Sequence, residues 1–283
     1  MAPIIIEKEL IDRIKNDIAA AVGSTSLETR TIVMAANAHL VKGGASPDFV
    51  KTLEEYRTKL LQNCEDITSR RYAQLIKSAQ RRVEGIYFLD DAWGKLLNVW
   101  IRDNPQKYAL VEALDDVLRS MPDSKPNAAW KSSVASLFER FSTVAVQSLL
   151  REWLGMLADS SEASARGISF PSEDQLKGMI FILAMAGCDG DSLLLRRLAE
   201  RCYRKVSGLG PLSLTAGNQC VQALASTTGR EGLEALTELS ATIRYPKNAI
   251  ATVKKALEKA ASELGVAVKE LEDASVPTYG LTD

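Results

Sequence analysis

The chain has 283 residues, of which 46% are hydrophobic and 25% are charged, a composition typical of globular proteins and unlike that of a disordered chain. Its 35 basic and 36 acidic residues nearly cancel, which excludes the global electrostatic attraction of a dedicated nucleic-acid or membrane-surface binder. The longest apolar run, "MIFILAMA" at residues 179–186, is far shorter than the roughly 20 residues that span a bilayer.

Apolar residues recur with the period of an α-helix along nearly the whole chain, and no segment shows the sustained alternation of a strand. A helix start is predicted at "SPD" (46–48), where a proline suits the first turn. The stripes of the first half are, in chain order, Leu10, Ile14, Ile18 and Ala21; Val50, Leu53, Leu60, Cys64 and Ile67; Tyr72, Leu75, Ile76, Ala79, Val83 and Ile86; Trp93, Leu97 and Trp100; and Val111, Leu114, Leu118 and Met121.

The later helices carry similar stripes on either side of the Ser-rich stretch "DSSEASARGISFPS" (159–172), which we interpret as the main break between two blocks. A shift of 41 residues places Leu183 on Leu224, Leu195 on Leu236 and Leu198 on Leu239. That period lies within the roughly 40 to 47 residues of HEAT and armadillo units. The pattern therefore predicts an all-α protein, a HEAT/armadillo-like α-solenoid of antiparallel helix pairs, with a chain reversal at "GLGP" (208–211) and a helix from Pro246 to Gly265.

Several stretches of the second half also carry a family resemblance: "WKSSVASLFERF" (130–141), "LLREWLGML" (149–157), "LKGMIFILAMAG" (176–187), and the longer runs 198–226, 229–266 and 271–281. Through them the chain resembles the helical region of the bacterial molybdate metabolism regulator-like family of large proteins of unknown function. The resemblance implies HEAT-like repeats over residues 126–274, after a generic helical block at 1–125. It also implies that 275–283, with "VPTYGL", is a linker stub or tail before a C-terminal domain that this chain lacks. It implies no catalytic residues.

The sequence offers little for catalysis or cofactor binding. Cys64, Cys188, Cys202 and Cys220 are widely spaced, so we predict reduced, buried thiols in a cytoplasmic protein and no zinc site. His39 is the single histidine. Pairing it with Cys64 or Ser26 would need a geometry that sequence alone does not supply. The four tryptophans, Trp93, Trp100, Trp130 and Trp153, are predicted to be core residues, with Trp100 alternatively lining a groove.

Two charged clusters have a functional and a structural interpretation each. In "GCDGDS" (187–192), Asp189 and Asp191 lie in a Gly-rich loop, but a calcium loop needs more oxygen ligands, so a helix-to-helix turn with Asp191 near the N-cap is favoured. In "SRRYAQLIKSAQRR" (69–82), Arg70, Gln74, Lys77 and Arg81 share one helix face. That face would meet phosphates or an acidic partner, or would simply be solvated.

The leading hypothesis is a non-enzymatic α-helical scaffold or protein-interaction module without cofactor or metal, whose partner is another protein or the absent C-terminal domain. The alternative is a nucleic-acid-associated module that uses Arg70, Lys77 and Arg81. An enzyme with a metal at Asp189 and Asp191 is the least favoured hypothesis, and no membrane association is expected.

Overall fold

The computed structural model describes residues 2–20, 27–42, 45–62, 67–83, 87–88, 91–122, 126–159, 167–187, 190–227 and 230–266. These residues form thirteen α-helices, which confirms the predicted all-α class. They are α1 (Ala2–Ala19), α2 (Leu27–Lys42), α3 (Pro47–Gln62), α4 (Ile67–Val83), α5 (Ala92–Asp103), α6 (Tyr108–Arg119), α7 (Ala128–Phe141), α8 (Thr143–Asp159), α9 (Phe170–Ala186), α10 (Ser192–Tyr203), α11 (Leu214–Ser226), α12 (Arg230–Thr242) and α13 (Lys247–Leu264).

The chain divides into two compact units: Met1–Asp90 with Ser169–Ser172, and Asp91–Ile168 with Glu173–Asp283. The division predicted after residue 125 therefore falls within the sequence range of the second unit. That division rests on the family resemblance and stays a prediction. The predicted tail, 275–283, lies outside the described residues.

In the first unit, α1 packs on α2 and α3, and α4 packs on the same two helices. Their apolar faces meet in one cluster of buried residues, so each helix shields apolar side chains of its neighbours from solvent. The largest members are Ile14, Ile32, Phe49, Leu53, Tyr56, Leu60 and Ile76.

The helix start predicted at "SPD" is confirmed. Helix α3 begins at Pro47, and the Ser46 hydroxyl accepts a hydrogen bond from the Phe49 N–H at 3.1 Å, as an N-cap does. Val50, however, was assigned wrongly to the buried stripe. It is 40% exposed, and Phe49 is buried in its place because the stripe that faces α1 contains Phe49, Leu53, Tyr56 and Leu60.

The tryptophans are core residues of the second unit, as predicted. The Trp93 indole N–H donates to the Trp153 carbonyl oxygen at 3.2 Å, and that of Trp130 to the Val117 carbonyl oxygen at 2.8 Å. The Trp100 ring meets Trp153 edge to face, with ring centroids 5.6 Å apart. The buried indole N–H groups of Trp93 and Trp130 therefore each have an acceptor, and these contacts join α5 to α8 and α6 to α7.

From α8 onward, side chains make hydrogen bonds at a regular sequence separation of 39 to 42 residues. Gln147 on α8 donates to the Ala186 and Gly187 carbonyl oxygens, and Arg151 binds Asp191. Glu173 on α9 accepts from Ser213 and Thr215 at the start of α11. This spacing agrees with the 41-residue shift found in the sequence.

Helix packing in this region follows the same order. α10 packs on α8, α11 and α12, and α13 packs on α11 and α12. Each of these helices therefore contacts its immediate neighbour and also the helix two positions along the chain. The Ser213 hydroxyl accepts from the Ala216 N–H and caps α11, while Gly265, in the left-handed conformation at φ 68°, ends α13 as the sequence indicates.

The reversal predicted at "GLGP" contains a small β-hairpin that the sequence analysis missed. β1 (Lys205–Val206) pairs antiparallel with β2 (Gly210–Pro211), with Lys205 opposite Pro211 and Val206 opposite Gly210. Gly208 and Gly210 both have positive φ, 77° and 99°, which explains the need for glycine in this turn. Strands of two residues are too short for alternation to be detected in a sequence.

Within the described residues, no helix combines the length and the apolar character that crossing a membrane requires.

Candidate interaction surfaces

His39 contacts a carboxylate of α1 and an aromatic ring of α3. Its Nε2 lies 2.6 Å from Glu7 Oε2, and its ring meets the Phe49 ring edge at a centroid distance of 4.9 Å. Glu7 also accepts from the Ser46 N–H at 3.2 Å. Burial by itself raises the pKa of Glu7, but the hydrogen bonds from Ser46 and His39 outweigh it, and the pKa lies below its usual value. Cys64 and Ser26 lie outside the described residues.

Asp191 is held in an ion pair within the second unit. Its carboxylate is buried, with 4% of the side chain exposed, and both oxygens accept from Arg151, at 2.6 Å from Nε and 3.1 Å from Nη2. It stands at the N-cap position of α10 as predicted, but its side chain makes no capping hydrogen bond, and its backbone (φ −99°, ψ 2°) is not in the extended conformation typical of a capping residue. Asp189 lies outside the described part of the chain, and the described residues contain no group of three metal-binding side chains.

The described cysteines, Cys202 and Cys220, are buried thiols, as predicted. Burial raises the pKa of Cys202 well above its ordinary value, so the thiolate that reactivity requires is not formed at neutral pH. Cys64 and Cys188 are outside the described residues.

Only part of the basic stripe predicted on α4 lies within the described residues. Arg70 and Lys77 are exposed, Gln74 is half-buried, and the Arg81 side chain lies outside the described residues. Glu54 on α3 has a lowered pKa, chiefly through its hydrogen bond from Arg57, and the charge of Lys77 contributes to the same effect. Lys77 is therefore close to an acidic side chain, which reduces the positive potential along this stripe.

A second group of cations lies at the end of α10, and we call it the basic corner: Arg197, Arg201, Arg204 and Lys205. The spacing of four and three residues places the arginines on one helix face. The Arg201 Nε–H donates to the Ala158 carbonyl oxygen at 3.2 Å, and Arg197 is paired with Asp159. The pKa of Arg201 is lowered, first by burial and then by the charges of Arg204 and Arg197, so three guanidinium groups repel one another here.

The hairpin places apolar and aromatic surface beside the basic corner. The Lys205 ammonium lies 5.9 Å from the centroid of the Tyr245 ring, and that tyrosine is 40% exposed. At the hairpin turn, Leu209 is 69% exposed. Gly167 lies close to the Leu209 side chain, because a Cβ added to that glycine would lie 3.0 Å from Leu209 Cδ1.

The basic corner was not predicted, although its signal is present in "RRLAERCYRK" (196–205). Both this run and the run at 69–82 contain five basic residues, and the latter was predicted as the basic surface because Arg70, Lys77 and Arg81 share one helix face. Which cations share a surface, and which acidic side chains neutralise them, depends on residues from other helices.

Comparison with protein-family models, with curated proteins and with solved structures found no match. The resemblance to the molybdate metabolism regulator-like family therefore stays a prediction.

Proposed function

We propose that this chain is a non-enzymatic scaffold whose second unit contains a short α-solenoid of the HEAT type and binds another protein. The observation that carries the proposal is the series of bonds between α8 and the end of α9, α9 and α11, and α10 and α12, at nearly constant sequence separation. Helices that repeat this contact stack in one direction and leave an extended surface, which solenoid proteins use to bind partners.

The chemistry of the described polar residues favours the same function. His39 and Asp191 are each committed to a neighbouring side chain, and the described cysteines are buried. An enzyme would instead place such groups in a cleft with a nucleophile, a base and an orienting partner in contact. We therefore assign Glu7, His39, Arg151 and Asp191 to stability and not to catalysis.

The test is the recovery and reconstitution of a complex. The complete chain, immobilised and exposed to an extract of its source cells in about 0.15 M salt, a physiological ionic strength, is expected to retain a protein in fixed stoichiometry that free chain competes away. The purified partner should then bind the purified chain with a saturable calorimetric titration. Failure of every retained protein to bind in purified form would overturn the scaffold proposal.

The alternative function is nucleic-acid association through Arg70, Lys77 and Arg81. The exposure of Arg70 and Lys77 favours it, whereas the proximity of Lys77 to Glu54 disfavours it. Replacement of all three cations by alanine separates the two functions: under the scaffold proposal the protein complex survives, and under the alternative a salt-sensitive affinity for DNA or RNA is lost.

A further inference from the structure

The basic corner concentrates positive charge at one place on a chain whose net charge is only −1. Arg204 and Lys205 are exposed, and Arg197 is 43% exposed although it is paired with Asp159. The charges of Arg204 and Arg197, both positive, act on Arg201. A surface that holds like charges together gains free energy when an anionic group binds, because the repulsion is then relieved.

The side chain of Arg201 and the backbone of Arg204 are held in place before any ligand binds. Arg201 is half-buried and donates to the Ala158 carbonyl oxygen near the end of α8, which fixes the side chain between α8 and α10. Arg204 is the C-cap residue of α10, and its N–H donates to the Arg201 carbonyl oxygen at 3.2 Å. The Arg204 carbonyl oxygen accepts from the Leu212 N–H at 3.1 Å. Preorganised cations lose little conformational entropy on binding, and guanidinium groups bind carboxylates through paired hydrogen bonds.

The surface next to the basic corner indicates which kind of anionic ligand would bind there. Leu209 and Tyr245 expose apolar and aromatic area next to the cations, and Lys205 lies against the tyrosine ring. Protein interfaces combine arginine and tyrosine with apolar contacts in this way. A duplex nucleic acid would require a basic surface that continues along many phosphates, and the balanced charge of this chain does not provide one.

From these observations we infer that the basic corner, together with Leu209 and Tyr245, binds an acidic segment of a partner protein, one that carries an apolar side chain among its carboxylates. The inference rests on the proposed scaffold function and adds to it the chemistry of the partner and the surface used. The carboxylates bind Arg204, Lys205 and the neighbouring arginines, and the apolar side chain packs on Leu209 and Tyr245.

The probe is a fluorescein-labelled peptide of Glu and Asp residues with one Leu and one Phe, titrated with the complete chain and followed by anisotropy. Saturable binding that weakens as salt is added is expected. The same peptide with Gln and Asn in place of Glu and Asp should not bind. The double variant R204E/K205E should weaken binding by about tenfold or more, the effect of reversing two charges at an interface.

The matched control is K254E/K255E, which makes the same change of charge on exposed residues of α13 and should leave the peptide affinity within about twofold, as for a screened distant charge. Leu209→Ser should weaken the binding of the peptide that contains Leu and Phe, but it should not weaken the binding of an all-acidic peptide. Equal melting curves show that each variant is folded. Equal loss of binding in both double variants, or tighter binding of a DNA duplex than of the peptide, would overturn the inference.

The proposed scaffold function and the inferred binding surface can be disproved independently of each other. If the R204E/K205E variant still binds the partner protein recovered from cell extract, the partner does not bind through the basic corner, and the scaffold function stands. If the peptide binds as described but no partner protein is found, the surface stands and the scaffold function fails.

Discussion

At the scale of single residues, the polar side chains of the first unit act as ties between helices. Glu7 on α1 joins His39 on α2 to the Ser46 N–H at the start of α3. Asp17, also on α1, accepts from the Thr29 hydroxyl at 3.0 Å and from the Tyr56 hydroxyl. Burial, followed by the contact with Asp17, raises the pKa of Tyr56 above its usual value, so this phenol stays protonated and donates its hydrogen bond.

The lowered pKa of Glu7 predicts an acid-dependent stability. A carboxylate whose pKa is lower in the folded state stabilises that state above its unfolded pKa, and the contribution is lost as the pH falls through the folded pKa. Glu7→Gln should therefore lower the free energy of unfolding by about 1 kcal/mol at neutral pH, and the difference from wild type should shrink below about pH 4. Urea unfolding at several pH values measures it.

The control for this prediction is Glu9→Gln, because Glu9 is exposed on the same helix. It should leave the stability close to that of wild type across the same pH range. A pH-independent cost for Glu7→Gln would mean that the charge of Glu7 does not stabilise the fold.

At the scale of elements, close helix packing in the second unit depends on two glycines. A Cβ at Gly217 of α11 would lie 2.5 Å from the Tyr203 ring of α10, and a Cβ at Gly232 of α12 would lie 2.4 Å from the Leu224 carbonyl oxygen of α11. Neither separation is sterically allowed. The absence of a side chain at these positions therefore sets how closely α10, α11 and α12 approach one another.

Gly232→Ala is expected to destabilise the protein by about 1 to 3 kcal/mol, because the clash is with a backbone oxygen that cannot rotate away. Gly155→Ala on α8 is the matched control. A Cβ there has no atom within 4 Å, so the change should raise stability by about 0.5 to 1 kcal/mol through helix propensity. Thermal unfolding of both variants measures the two effects, and equal shifts of the same sign would contradict the packing seen between α11 and α12.

At the scale of the whole molecule, the first unit has a core of its own. Among the described residues, the buried members of the cluster that fills it all belong to α1, α2, α3 and α4. A core closed among consecutive helices gives a segment the main requirement for folding independently. In the second unit, α10, α11 and α12 each pack on several helices that lie before or after them in the chain.

We expect residues 1–90, produced alone, to keep their helical circular dichroism and to unfold in one cooperative transition. Residues 1–66 serve as the control, because without α4 they lack Ala73, Ile76 and Ala79, which complete the cluster. That shorter fragment should be largely unfolded. A fragment 1–90 with no cooperative transition would show that its core needs the remainder of the chain.

Local pattern by itself determined the helical class, the burial of all four tryptophans, the start of α3 and the end of α13. These follow from a 3.6-residue period and from capping residues, both of which act within a few positions of the chain. Where the pattern is ambiguous by one residue, as at Val50 and Phe49, periodicity alone does not determine which residue is buried. Leu264 continues the apolar period of its helix but is 44% exposed, because it lies in the last turn of α13.

Only the tertiary structure decided the division after Asp90, the partner of Asp191 and the surface formed by the basic corner. Arg151 and Asp191 are 40 residues apart, and Lys205 and Tyr245 are likewise far apart in sequence. Charges at such distances meet only through the order in which helices stack, and no local propensity encodes that order. The sequence therefore predicts helices with cationic faces, whereas the choice between α4 and α10 depends on the positions of Glu54, Asp159 and Tyr245 on other elements.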